Sequence, residues 1–326
     1  MNKRQRPPFI ATEAIPDTLC VRRGPSSGTE KRHLLKLPRL LVEVYRELLD
    51  DLGLRQEAER QTPNDEGPQG GLTEEATREH FSRNFSGSCA RVQFVTLDPM
   101  EEFKTTRDMF VRLFAGGKVH LLDVPCGTGA AGATLLCLAA ELRQQKILPR
   151  HPLHVSVLGG DISEPARQLK RRVFRKLAPR LAEFGIRARA DVRHWDVQDE
   201  DQTSELISEW VRQRPPRSAA VTLAANFSGF LSTKVKDCKE QLKEIIRYAR
   251  VQEASVLWVE PRTNLALDHL FPALQSHVFG RIQRMRAVWP NGPRQAECDV
   301  SHPVQRKGQF KVRCAAMHLE PDRKSK

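Results

Sequence analysis

The sequence lacks several features that define large protein classes. It has no apolar run near the roughly 18 residues of a membrane span, and MNKRQRPPFI at its start lacks the apolar segment of a secretory signal. Its seven cysteines are scattered, odd in number and never spaced C-x-x-C. This pattern argues against a disulfide framework and a zinc site. We therefore expect a cytoplasmic protein without a membrane segment or metal.

Basic residues outnumber acidic ones, and most of the excess lies at the two ends of the chain. The formal net charge is +13. Residues 1–39 hold nine Lys or Arg against three acids, and residues 302–326 hold seven against two. Basic segments attract nucleic acid without reading its sequence. RNA or DNA is therefore an expected partner. The equal alternative is that the basic ends only increase the solubility of the protein.

The first third of the chain divides by composition. Residues 1–33 have few apolar residues and predict a disordered basic tail. Residues 34–117 predict a helical region, interrupted by a linker over 61–71. One expected helix ends at Gly53, a second begins near Thr73, and a third begins at Asp98, which is expected to cap it. Residues 320–326 predict a second basic tail.

From Lys118 the pattern becomes a regular alternation of strands and helices. Five strands, each followed by a helix, are predicted at 119–124, 153–161, 187–196, 219–226 and 255–261. Two strands close the chain as an edge hairpin, at 281–290 and 308–319. The pattern predicts an α/β domain over 118–319, doubly wound around a mainly parallel, seven-stranded sheet with an antiparallel last strand.

One predicted helix, after the second strand, is strongly basic. An apolar residue recurs in it every fourth position, so it packs through one stripe. Its charges are then expected to form a solvated face, with a nucleic-acid groove as the alternative.

The stretch LLDVPCGTGAAG joins the first strand to its helix. Its residues 127–132 satisfy the dinucleotide fingerprint G-x-G-x-x-G. However, the strand ends in Asp123, and a carboxylate there would repel a pyrophosphate. It would suit a ligand with an amino group and a sulfonium but no phosphate.

The run D-V-P-C-G-T-G resembles motif I of class I, Rossmann-like S-adenosylmethionine-dependent methyltransferases, with Pro125 in place of the first glycine. The resemblance implies S-adenosylmethionine as the cofactor. It implies that Asp123 acts near the methionine amino group and that Gly127 and Gly129 allow close approach of the cofactor. The predicted cofactor loop comprises Asp123, Pro125, Cys126, Gly127, Thr128 and Gly129.

Two further acids end strands at the positions where this superfamily uses them. Asp161, followed by Ile162, is expected to accept the ribose hydroxyls. Asp196 is expected to meet the adenine amino group, with Val197 donating its backbone N–H to the ring. Asp191 is the alternative to Asp196, which we prefer because it lies nearer the carboxyl end of its strand.

The loop after the fourth strand reads N-F-S-G-F. Amino-methylating members of the superfamily carry (D/N/S)-P-P-(Y/F/W) there, and Asn226 matches the first position. The resemblance implies that Asn226 is a catalytic and cofactor-contacting residue, and a purely structural turn is the alternative. Glu260 ends the fifth strand and is expected to be structural. The segment 80–94, with Phe81, Phe85 and Arg91, is expected to pack or to form a lid over the site.

These features predict a methyltransferase that acts on a macromolecule, with nucleic acid slightly favoured. Three alternatives stay open. They are a protein or small-molecule methyltransferase, a catalytically silent binding module with this fold, and a nicotinamide-dependent oxidoreductase, which Asp123 and the closing strands disfavour.

Overall fold

A computed structural model describes residues 9–23, 32–63, 71–103, 105–261, 266–278, 285–287 and 294–321. Its helices are α1 (Arg39–Asp51), α2 (Arg55–Arg60), α3 (Glu74–Leu97), α4 (Thr106–Phe114), α5 (Ala130–Gln144), α6 (Glu164–Ala182), α7 (Glu200–Gln213), α8 (Ser228–Lys234), α9 (Lys239–Val251) and α10 (Phe271–His277). Its strands are β1 (Cys20–Arg23), β2 (Arg32–Leu35), β3 (Gly117–Asp123), β4 (Leu153–Asp161), β5 (Ile186–His194), β6 (Ala219–Ala225), β7 (Ser255–Glu260), β8 (Met285–Ala287), β9 (Arg294–Ser301) and β10 (Gln309–Pro321).

The strands form one mixed sheet in the order β1-β2-β9-β10-β7-β6-β3-β4-β5, with β8 paired beside β10. Strands β7, β6, β3, β4 and β5 are parallel, whereas β10 is antiparallel to β7 and β9. The chain winds outward from β3 to β5 on one side and from β6 to β7 on the other, so the topological switch point lies between β3 and β6. The prediction of a doubly wound, mainly parallel sheet that closes with an antiparallel strand is confirmed.

The predicted number of strands is wrong, because the described residues form ten strands instead of seven. The hairpin partner of β10 is β9, at Arg294–Ser301, while the predicted strand at 281–290 contributes only the short β8 to the described residues. Strand β10 is also not an edge strand, since it lies between β7 and β9.

The N-terminal segment supplies the remaining two strands. Strands β1 and β2 are antiparallel to each other, and β2 runs parallel to β9. Ile10, Ile15 and Leu19 are buried in the main core. The prediction that residues 1–33 form a disordered tail is therefore wrong for 9–23, because a few apolar side chains are enough to anchor this segment; residues 1–8 and 24–31 lie outside the described residues.

The predicted helical region is helical, with one boundary misplaced. Helix α1 is followed by Gly53 in the left-handed region (φ 68°), and α3 is capped at its start by Thr73, whose side chain accepts from the Ala76 N–H. Asp98 ends α3 instead of beginning the next helix, and its Oδ1 accepts from the Phe103 N–H. Helix α4 begins only at Thr106. Of the predicted linker, residues 64–70 lie outside the described residues.

Two hydrophobic clusters cover the two faces of the sheet. One joins the sheet to α1, α3, α4, α5 and α6, and the other joins it to α7, α9 and α10. Strand β3 contributes to both because neighbouring side chains of a strand point in opposite directions. Leu121 lies in the first cluster and Leu122 in the second.

The basic helix α6 faces an acidic patch of α1 instead of solvent alone. Lys176 lies 3.4 Å from Glu47 and 3.1 Å from Asp51, and Arg180 also pairs with Glu47. Arg172 lies 3.7 Å from Asp51. The expected solvated face is thus partly an interface between helices, and each exposed pair contributes at most about 1 kcal/mol to stability.

All seven cysteines are buried with free thiols. Among the described residues, no group of three or more His, Cys, Asp or Glu side chains is arranged to hold a metal ion. No described helix is long and apolar enough to cross a membrane.

Candidate functional site

A cleft of about 670 Å³ opens at the carboxyl ends of β3, β4, β5 and β6. This is the edge at which open α/β sheets bind ligands, and the volume suits a small molecule. Nine of the predicted site residues line it, namely Pro125, Cys126, Gly127, Thr128, Asp161, Ile162, Asp196, Val197 and Asn226. Asp123 and Gly129 do not.

Asp123 lies beneath the cleft instead of facing it. Its Oδ2 accepts a hydrogen bond from Lys170 Nζ at 2.7 Å, and both side chains are fully buried. Burial lowers the pKa of Lys170, but the adjacent carboxylate more than offsets this and holds the pKa above its usual value. Asp123 therefore does not line the cleft, and its expected contact with the cofactor's amino group stays a prediction, one that the internal ammonium of Lys170 argues against.

The three glycines of the loop differ in what lies next to them. Gly127 (φ 47°) has no atom within 4 Å of the place a Cβ would occupy, so its open side faces the cleft. A Cβ on Gly129 would lie 2.9 Å from Lys170 Cγ, and one on Gly132 would lie 3.3 Å from Asp123 Oδ2. Gly129 was expected to admit the cofactor, but it makes room for the lysine that crosses under the loop.

Asp161 ends β4 and is held by backbone donors. Its Oδ2 accepts from the Gly127 N–H at 2.8 Å, and its Oδ1 accepts from the Ser163 N–H at 2.9 Å. Burial raises the pKa of Asp161, and these two donors partly offset the effect. Asp161 thus ties the glycine loop to the end of the neighbouring strand while its carboxylate lines the cleft.

Asp196 and Asp191 differ in their surroundings. Asp196 lines the cleft, and its Oδ1 accepts from the Gln198 N–H at 2.9 Å. Asp191 lies within the edge strand β5 and pairs with Arg189 at 3.1 Å. Of the two acids, Asp196 is the one at the cleft.

The loop after β6 is fixed from below by Glu260. The two carboxylate oxygens accept from the Phe227 and Ser228 N–H groups, both at 2.9 Å, and one also accepts from Trp258 Nε1 at 2.6 Å. Burial raises the pKa of Glu260. Asn226 begins this loop in the left-handed region (φ 57°) and lines the cleft. Glu260 is therefore a positioning residue for the Asn226 loop.

Helix α3 forms one wall of the cleft. Five polar residues spaced three or four apart line the cleft from one helix face, namely Thr77, His80, Asn84, Ser88 and Arg91. Phe81 and Phe85 point elsewhere and pack against Tyr45. The segment 80–94 therefore packs against Tyr45 and also supplies a wall of the cleft, and the expected lid stays a prediction. The spacing of its polar residues by three or four positions is the feature of the sequence that could have predicted this wall.

The order of the strands, the antiparallel β10 and the cleft above the β3 loop define a doubly wound, Rossmann-like α/β fold. No protein-family model and no curated protein matches the chain. Among solved structures, the chain is similar to a Listeria monocytogenes protein provisionally described as a class I S-adenosylmethionine-dependent methyltransferase. The two are 10% identical over 89% of each chain, with a TM-score of 0.34. The topology of the sheet, and not this distant similarity, defines the fold.

Proposed function

We propose that the protein is an S-adenosylmethionine-dependent methyltransferase. The observation that carries the proposal is the cleft itself, where the glycine loop, Asp161 and the Asn226 loop meet above a class I methyltransferase sheet. When bound, S-adenosylmethionine supplies an electrophilic methyl group on a sulfonium.

The residues at the ends of β4 and β5 suit an adenosine. Each oxygen of Asp161 accepts one described backbone hydrogen bond, and a carboxylate oxygen can accept two. Asp161 can therefore also accept the ribose hydroxyls. Ile162, 43% exposed in the cleft, offers an apolar surface for the base, beside Asp196 and Val197 for its polar edge.

The loop argues against a dinucleotide, although not through Asp123 as expected. The Gly127 N–H, which a pyrophosphate would need, already donates to Asp161 Oδ2. A pyrophosphate at this loop would meet that carboxylate in place of a donor. The carboxylate of Asp123 does not itself argue against a pyrophosphate, because Lys170 neutralises it.

Methyl transfer from a sulfonium depends mainly on alignment and exclusion of water, because the leaving group is already activated. Asn226 is the proposed catalytic contact. Its Oδ1 accepts from Arg91 Nε at 3.0 Å, and the backbone that follows is fixed by Glu260. This gives the amide oxygen one defined orientation, from which it can accept a further hydrogen bond from an acceptor amine.

For the acceptor we propose a nucleic acid, on the basic charge at the two ends of the chain. A protein or small-molecule acceptor is the alternative. The test is transfer of tritiated methyl from S-adenosylmethionine to total RNA, DNA, protein and small-molecule fractions. Label in RNA or DNA is expected. Label only in protein or small molecules would contradict the acceptor, and no transfer to any fraction would contradict the activity.

A further inference from the structure

Strand β5 forms one edge of the sheet, and its exposed positions are mostly arginines. Within the described residues it pairs with β4 alone. Arg187, Arg189 and Arg193 lie on one face of the strand, because side chains two positions apart point the same way. From Arg187 to Arg193 the row is about 20 Å long, at roughly 3.3 Å per residue. Positive charge therefore lines this edge of the sheet over that length.

Helix α6 adds a second basic row on the other side of the same edge. Arg171 Nη2 donates to the Val192 carbonyl at 3.3 Å, and Arg193 Nη1 donates to the same oxygen at 3.4 Å. Arg171 comes from α6, whereas Arg193 pairs with Glu209 of α7, and these two helices cover opposite faces of the sheet. Arg175 follows Arg171 by about one helical turn and is exposed. The two rows of arginines therefore meet along β5.

We call these five arginines the β5 basic edge, namely Arg171, Arg175, Arg187, Arg189 and Arg193. Three of them have an acidic partner in the protein, Arg171 with Glu164, Arg189 with Asp191, and Arg193 with Glu209. In the described part of the chain, Arg175 and Arg187 are exposed and have no ion-pair partner. The Arg189 side chain stays 79% exposed despite its partner. The β5 basic edge thus keeps an excess of positive charge that faces solvent.

The β5 basic edge ends at the cleft. His194 follows Arg193, and its Nδ1 lies 3.0 Å from Arg167 Nη1. The same nitrogen of Arg167 donates to the carbonyls of Asp161 and Ile162, two residues that line the cleft. A polymer that follows the edge would therefore arrive at the mouth of the cleft.

We propose that the β5 basic edge binds the phosphate backbone of a nucleic acid strand, an assignment that rests on the nucleic-acid acceptor proposed above and locates its docking surface on the folded domain. The planar guanidinium of arginine suits this partner, because it can donate two parallel hydrogen bonds to one phosphate. At about 3.4 Å per nucleotide, 20 Å of edge corresponds to roughly six nucleotides. Charged residues on an edge strand also prevent its pairing with other strands, but that role does not require a second row of arginines on α6.

The test measures binding of a fluorescein-labelled oligo(U) RNA of about 20 nucleotides to the full chain, by anisotropy across a salt series. The edge variant combines Arg175→Gln with Arg187→Gln and so removes the two unpaired charges without breaking a described contact. At about 50 mM salt its affinity for the RNA should be roughly 10–100-fold lower than that of the wild type. The log–log salt slope should flatten by about 1.4, or about 0.7 for each lost phosphate contact.

The matched control combines Lys239→Gln with Arg247→Gln, which removes the same charge from two exposed residues of α9. It should change the RNA affinity less than about threefold, because salt screens charges that do not contact the strand. An edge variant that binds the RNA as tightly as the wild type would overturn the proposal and leave the arginines only a protective role at the strand edge. Equal losses in the edge variant and the control would also overturn it.

Calorimetry with S-adenosylhomocysteine separates this surface from the proposed function. The edge variant should bind that ligand as the wild type does. A wild type that binds S-adenosylhomocysteine but not oligo(U), or that binds anionic phospholipid vesicles in place of oligo(U), would overturn the surface and leave the proposed cofactor standing. Binding of oligo(U) through the edge without binding of S-adenosylhomocysteine would support the surface and count against the proposed function.

Discussion

Lys170 reaches under the glycine loop and pairs with Asp123 at 2.7 Å, with both side chains fully buried. Its aliphatic carbons fill the space beside Gly129. A Cβ on Gly159 would clash with its Nζ. The pair joins α6 to the end of β3, directly beneath the cleft. It therefore supports the loop from below instead of contacting a ligand.

Lys170→Met is expected to destabilise the protein by about 3–5 kcal/mol, because it leaves a buried carboxylate without its partner. Urea unfolding measures the loss. The double variant Lys170→Met, Asp123→Leu removes both charges and should recover much of it. A single variant as stable as the wild type would contradict the ion pair.

Glu260→Gln tests the support of the Asn226 loop. An amide keeps one acceptor oxygen, so at least one of the three N–H groups loses its partner, at a cost of about 1–3 kcal/mol. Methyl transfer should also slow, since the loop that carries Asn226 is no longer fixed.

The matched control for Glu260 is Glu297→Gln, a partly exposed carboxylate paired with Lys311. It should change the free energy of unfolding by less than about 0.5 kcal/mol. If the two variants behaved alike in unfolding and in methyl transfer, Glu260 would have no positioning role.

His318 gives the stability a predictable pH dependence. Burial lowers its pKa from 6.5 to about 4, so the folded protein favours the neutral ring. Its contribution is complete above about pH 6.5 and is lost as the pH falls toward 4, by up to about 3 kcal/mol. In His318→Gln this loss should disappear.

The measurement for His318 is the free energy of unfolding of both proteins at pH 7.5 and 5. The gap between wild type and variant should narrow at the lower pH. A constant gap for His318 would contradict its buried, neutral state.

Replacing the basic residues of the outermost ends tests the proposed acceptor. Six of them lie outside the described residues, so changing them to Gln disturbs no described interaction; they are Lys3, Arg4, Arg6, Arg323, Lys324 and Lys326. If they bind phosphates, the log–log salt slope of RNA or DNA affinity should flatten by about 0.7–0.9 for each phosphate that is no longer neutralised. Filter binding across a salt series measures this. An unchanged slope would favour the solubilising role.

Local pattern predicted the parallel part of the sheet well, since four of its five strands are short, mainly apolar runs next to a helix, and β5 alternates apolar with charged residues. It also placed Asp161, Asp196 and Asn226 at the cleft, because carboxyl ends of parallel strands share one edge. These predictions needed no information from distant parts of the chain.

The errors arose where contacts between distant segments decide the structure. Strands β1 and β2 have four residues each, and β2 pairs with β9 more than 250 residues away. Lys170 lies on the buried face of α6 with Phe174 and Leu177, but the many charges of that helix concealed it. Only the approach of Asp123 from another strand explains a buried lysine there.

The most direct test of the central claim is titration calorimetry with S-adenosylhomocysteine and with NAD, on the wild type and on Asp161→Ala. The wild type should bind S-adenosylhomocysteine and show no comparable binding of NAD. Asp161→Ala should weaken the first by about 1–3 kcal/mol, because it removes hydrogen bonds to the ribose and releases Gly127. Tight binding of NAD without binding of S-adenosylhomocysteine, or an unchanged affinity in a folded Asp161→Ala variant, would contradict the account.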